Sequence, residues 1–157
     1  MGVGNLEAVE LGLRQALLKD GRQLLENLLE KCSLGLPENT SQPGEKCHPD
    51  RGKEVQTLFG PIQIRREYFY RPSTRQGRIP LDEALGLVDG SSPGLVRLAS
   101  RAAARSGYEA ASQDLEALAG VKIDGRQIHR IVQRSGPRVG QQLLQGPCAI
   151  EKPIPIM

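Results

Sequence analysis

Apolar residues return at three-, four- and seven-residue intervals near the start of the chain, at Leu6, Val9, Leu13, Leu17, Leu24 and Leu28. Glu7, Arg14, Lys19, Arg22, Glu26 and Glu30 fall largely elsewhere, so the spacing predicts an amphipathic helix over about 5–31. Leu18, Leu25 and Leu29 widen its apolar face, a width that suits docking on a core or a partner helix better than a narrow coiled-coil seam. Gly12 and Gly21 lower its intrinsic propensity. Residues 33–53 hold three prolines and three glycines without periodicity and read as a long connection. Residues 54–59 and 62–70 then alternate with period two around Gly60-Pro61, which predicts a β-hairpin with its turn at that dipeptide.

Beyond the hairpin, residues 71–78 form a basic loop and Asp82–Leu87 at most a short helical turn before Asp89-Gly90. Ser92 followed by Pro93 makes an N-cap and first-turn pair, opening a helix of about 93–106 with Leu95, Leu98, Ala99 and Ala102 on one face. Gly107 ends it. A helix over about 108–119 stops at Gly120, and another starts near Gly125 with Asp124 and Gln127 placed as a capping box. Pro137 is expected to break or restart that helix near Gly136, leaving 139–145 as an extension. These elements amount to an α+β protein, mainly helical, with a two-stranded hairpin at its centre.

The helices at 108–119 and 125–135 form a candidate helix-turn-helix. Ile128, Ile131 and Val132 suit packing on the preceding helices. Arg126, Arg130, Arg134 and Arg138 step by four, which advances only about 40° around a helix and lines them on one side, with Gln127 and Gln133 nearby. Arg towards guanine or phosphate and Gln towards adenine are the pairings of major-groove recognition. A solvated basic helix has the same spacing. Ile128 also lies eight residues beyond Gly120, a longer turn than the usual three or four, which points to a winged or elaborated variant. In the hairpin, Arg65, Arg66, Arg71, Arg75 and Arg78 neighbour Tyr68, Phe69 and Tyr70; the arginines either touch DNA backbone or face water while at least one aromatic face forms core.

The charge distribution sharpens this picture. Net charge is only +3, yet residues 1–50 carry five Lys/Arg against eight Asp/Glu, residues 51–81 seven against two, and residues 97–145 eight against four. The hairpin and the second helical region are therefore where a nucleic-acid partner is sought. A chain of 157 residues can hide roughly 70% of its unfolded surface, enough for one ordinary core or two small ones. No apolar run approaches the ~20 residues that cross a bilayer, and the first residues lack the pattern of a signal peptide, so a cytoplasmic location is expected. Cys32, Cys47 and Cys148 are odd in number and irregular in spacing, which argues against a disulfide framework. Asp82 and Glu83, adjacent in sequence, do not form a paired-carboxylate site, and His48 and His129 lack catalytic partners at motif spacing. No glycine-rich phosphate loop occurs, and neither a catalytic residue nor a cofactor is predicted.

One succession is more specific than any of its parts: the Gly60-Pro61 hairpin, the Arg65-Arg66-Glu67-Tyr68-Phe69-Tyr70 strand, the segment Pro80–Leu87 reading PLDEALGL, and the SPGL helix start at Ser92–Leu95. It resembles the N-terminal part of an ISKra-type insertion-sequence transposase over roughly residues 5–157. The spacing and residue types give Arg126, Gln127, Arg130, Gln133, Arg134, Arg65 and Arg66 as the expected DNA-contacting residues; the resemblance implies binding of insertion-sequence terminal repeats and homo-oligomerisation. It implies four segments: a helix and linker at 1–53, the hairpin and basic loop at 54–91, a helical DNA-binding segment at 92–145, and at 146–157 the approach to a ribonuclease-H-like catalytic domain that this chain lacks. A truncated, catalytically inactive product is thus expected. An interaction module and a transposon-derived repressor are the alternatives. In the resembled family, cysteine pairs flank the hairpin like a zinc ribbon; here only Cys47-His48 remains of the first pair and nothing of the second, so no metal site is expected.

Overall fold

The expected α+β, mainly helical architecture is what the chain adopts. The computed structural model describes residues 5–34 and 41–144, the side chains of 32–34, 49–51 and 137–144 excepted. The order is α1 (Leu6–Leu34), β1 (Lys46–Thr57), β2 (Gly60–Arg71), β3 (Gln76–Arg78), α2 (Pro80–Ala84), α3 (Pro93–Ser106), α4 (Tyr108–Asp114) and α5 (Gly125–Leu144), with a π-helical turn at Leu115–Ala119 continuing α4. The segment 146–157 lies outside the described residues.

The hairpin is longer than its alternating sequence indicates, and it belongs to a three-stranded antiparallel sheet in the order β1-β2-β3 rather than standing as two strands. Its register pairs Val55 with Ile62 and Thr57 with Gly60, so the turn is Leu58-Phe59, two residues before the expected Gly60-Pro61. Leu58 and Phe59 both keep negative φ, and Gly60 at φ +104° provides the left-handed backbone that lets the strands twist together. The Thr57 hydroxyl donates to the Gly60 carbonyl at 2.7 Å and accepts from the Phe59 N–H at 3.1 Å. At the far end the ladder runs back through a bulge between His48 and Arg51 to Lys46, inside the segment expected to be connection. Pro49 falls in that bulge, where a missing N–H is tolerated.

Two apolar clusters hold the fold. Val55, Ile62, Ile64 and Leu81 pack with Leu25, Leu29, Leu85 and Leu87 in one. Leu95, Ala99, Ala111, Leu115, Val121, Ile123, Ile128 and Ile131 form the other, between α3, α4 and α5. The sheet and the helices are joined at Gln56, whose N–H donates to the Gly90 carbonyl and whose carbonyl accepts from the Ser92 N–H, both at 2.8 Å.

Helix α1 bridges the two clusters. Leu25 and Leu29 pack on the first, and the Glu26 carboxylate accepts from the Gln63 N–H at 3.0 Å. Nearer its start, Arg14 donates to the carbonyls of Ala117, at 3.3 Å, and Leu118, where the π turn leaves acceptors unpaired. The docked face is therefore the Leu18, Leu25 and Leu29 side. Leu6, Val9, Leu13, Leu17, Leu24 and Leu28 stay 52–68% exposed, because their stripe lies roughly 120° around the helix from the residues that meet the sheet.

Candidate nucleic-acid interface

Helix α5 begins at a side-chain cap, the Asp124 carboxylate accepting from the Gln127 N–H at 2.6 Å. Its inner face is fixed by Ile128 and Ile131, both fully buried, and by Ser135. This turns Arg126, Arg130, Gln133 and Arg134 to the exposed side and leaves Gln127 half-buried. The helix runs through Pro137 to Leu144 instead of breaking there; proline's fixed φ is compatible with helix, with one backbone hydrogen bond lost and crowding against the carbonyl four residues back. The side chain of Arg138 lies outside the described residues.

The turn before α5 is long because it is packed. Gly120 leaves the π turn in the left-handed conformation, φ 69° and ψ 18°, and the Val121 N–H reaches back to the Leu115 carbonyl at 3.1 Å. Val121 and Ile123 then enter the helical core, while the Ser112 hydroxyl donates to the Ile123 carbonyl at 2.6 Å. The segment between α4 and α5 thus contributes two residues to the helical core.

Two of the four described polar residues on this face have a counterion that sequence spacing did not reveal. Asp89, held at φ 50° in the loop before α3, lies 2.6 Å from Arg134 and 3.3 Å from Arg130. Both guanidinium side chains stay about 60% exposed while Asp89 is largely covered. One carboxylate between two guanidiniums orients the pair and leaves a net positive charge. Arg126 makes no salt bridge to a described residue. Glu109 stands against the start of α5, where a Cβ on Gly125 would meet its Oε2 at 2.8 Å; a negative charge there suits the helix dipole.

A second arginine row was missed. Arg97, Arg101 and Arg105 of α3 step by four on the side away from buried Leu95 and Ala99, and all three are exposed. Helix α3 carries no acidic residue, and none of the three arginines forms a salt bridge to a described residue. The signal that finds them is the same four-residue step that singles out α5.

The hairpin arginines are mostly committed within the fold. Arg66, only 13% exposed, pairs with Asp82 of the PLDEALGL segment, which Lys53 also approaches at 3.9 Å. Arg78 and Arg71 converge on Glu45, at 2.9 and 3.8 Å, and the Arg78 guanidinium lies 5.1 Å from the Phe69 ring centroid. Phe69 is buried, Tyr68 and Tyr70 stack side by side with centroids 6.4 Å apart, and Arg65 is exposed but engaged in contacts of its own.

A profile of the Uncharacterised protein family (UPF0236) matches residues 3–142. The chain belongs to that family. No curated protein matches it.

In this UPF0236 chain, Cys47 and His48 stand on β1 opposite Phe69 and Tyr68, not in a loop. The Cys47 thiol is free and exposed, and the His48 ring lies 6.1 Å from Tyr68. Among the described residues no three His, Cys, Asp or Glu side chains gather where a metal ion would be held. His129 sits at the rim of α5 with its ring edge-on to Tyr108, 4.9 Å between centroids. No described helix is long and apolar enough to cross a membrane.

Proposed function

We propose that this UPF0236 chain is a DNA-binding region of an insertion-sequence transposase, engaging terminal-repeat DNA through α5. The observation that carries this reading is the exposed face of α5, where Arg126, Arg130, Gln133 and Arg134 stand clear of an apolar face locked into the core. Asp89 supports it by holding Arg130 and Arg134 in place, which lowers the entropy lost when they meet an anion. Arg97, Arg101 and Arg105 add a second basic row suited to phosphate. Arg126 and Gln127, near the start of α5, are the base-reading candidates, and Arg130 and Arg134 the phosphate contacts. Arg66 is assigned to the fold instead of the interface.

Fluorescence anisotropy with terminal-repeat and scrambled duplexes over a range of salt tests this. Each phosphate contact contributes about 0.9 to the slope of log affinity against log salt, so Arg130→Ala and Arg134→Ala should each flatten it. Arg126→Ala or Gln127→Ala should relax sequence preference by about 1–3 kcal/mol. An Arg126/Arg130/Arg134 triple alanine variant with unchanged affinity and slope would remove α5 from any DNA interface.

A further inference from the structure

We propose that α1 pairs with α1 of a second copy of this chain, antiparallel, with Leu17 opposite Leu24 and Glu10 opposite Lys31. On the docked side of α1, Leu18, Leu25 and Leu29 are used within the molecule while Leu11 stays 51% exposed; Leu6, Val9, Leu13, Leu17, Leu24 and Leu28 remain 52–68% exposed in a separate stripe. From Leu6 to Leu28 that stripe runs about 33 Å along the helix. A side chain of this kind hides on the order of 100 Å² when covered. In the antiparallel register, Leu13, Leu17, Leu24 and Leu28 of each copy face one another, and these eight with the stems of Glu10 and Lys31 come to roughly 1,000 Å², about what a specific interface must clear.

Charge decides the orientation. Glu10 lies seven residues before Leu17 and Lys31 seven after Leu24, so both fall on the stripe; both are exposed, and neither makes a salt bridge to a described residue. A parallel pair would stack Glu10 on Glu10 and Lys31 on Lys31, like charge against like charge along the apolar seam, whereas Asp20 meets its own copy in either orientation. An antiparallel pair with its two-fold axis between Asp20 and Gly21 sets Glu10 against Lys31 at both ends, with Leu13 facing Leu28 and Leu17 facing Leu24 between them. This surface is self-complementary, as a closed two-fold interface requires. The pairing draws on α1 alone and goes beyond the nucleic-acid reading of α5; either can fail without the other.

Sedimentation velocity of the full chain across the micromolar range is the test. A reversible monomer–dimer equilibrium is expected, with Leu17→Glu monomeric and unchanged in circular dichroism. Glu10→Lys and Lys31→Glu should each raise the dimer dissociation constant several-fold, and the two together should restore it; a parallel pair would not show that rescue. With Cys32, Cys47 and Cys148 replaced by serine, mixing Leu17→Cys and Leu24→Cys chains should give the 17–24 disulfide in preference to 17–17. A monomer at all concentrations, a dimer that survives Leu17→Glu, charge variants whose combination does not recover, or a dominant 17–17 disulfide would each overturn the proposal.

Discussion

Arg78 and Glu45 meet in a two-point ion pair, Nε to Oε1 and Nη2 to Oε2, each 2.9 Å, tying β3 to the residue that precedes β1. The Arg78 hydrogen bonds first, then the Gln42 N–H, and further the Arg71 charge, bring the Glu45 carboxyl down from the usual 4.5 to about 2. A carboxyl whose folded value is depressed stabilises the fold fully above its unfolded value and loses that contribution as pH falls towards the folded one. Glu45→Gln should therefore lower the melting temperature by a constant amount above pH 4.5, with the difference shrinking as pH falls to about 2. Thermal melts of both proteins over a pH series check this, and a difference that widens on acidification would contradict it.

Asp82 is the counterion of Arg66, whose side chain is only 13% exposed. Removing it leaves a largely buried guanidinium without its carboxylate. Asp82→Ala should cost about 2 kcal/mol in urea unfolding. Lys53, a more distant and better solvated partner of the same carboxylate, should cost less than about 1 kcal/mol when replaced by alanine.

Gly120 has two reasons to be glycine. Its φ of +69° disfavours any side chain, and a Cβ there would stand 2.8 Å from Leu18 Cδ1 of α1. Gly120→Ala should destabilise by about 2 kcal/mol. In a Leu18→Ala background the steric part vanishes, and the same substitution should cost about 1 kcal/mol. Equal costs in the two backgrounds would show that α1 does not press on the turn.

The two sides of α1 should respond differently to truncation. Leu29→Ala, on the side packed against Ile62, Ile64 and Val55, should lower stability by about 2 kcal/mol at every protein concentration. Leu24 is 63% exposed, and Leu24→Ala should stay within about 0.5 kcal/mol of wild type wherever the chain is monomeric. Chemical denaturation at two protein concentrations separates these effects.

Local signals were legible where local chemistry decides. Ser92 caps α3 by accepting from the Leu95 N–H at 3.3 Å, Asp124 caps α5, and period-two alternation finds the hairpin. Periodicity marks an apolar helix but not which arc of it meets the rest of the chain. For α1 that choice is made by contacts distant in sequence, such as the Phe59 ring, which comes within 2.7 Å of where a Cβ on Gly21 would sit. The early start of β1 is hidden by Pro49 and Gly52, which break the alternation that a strand normally shows. The arginine row on α5 was visible, but its counterion was not: Asp89 lies 41 residues before Arg130 and is aimed by a left-handed backbone. The π turn rests on the Gly120 N–H reaching back to the Leu115 carbonyl, with the glycine in a left-handed conformation that helix propensity does not report.

The bond from Gln63 to Glu26 has a consequence for the company this protein keeps. β2 pairs along its length with β1, but on its other side β3 reaches only Phe69–Arg71, so the stretch near Gln63 would present an open strand edge. Such an edge is a template on which another chain can add a strand and begin to aggregate. Helix α1 lies along it, and a charged oxygen occupies an N–H that an incoming strand would need. Loosening α1 would uncover that template in the same step that strips Leu25 and Leu29 from the first apolar cluster.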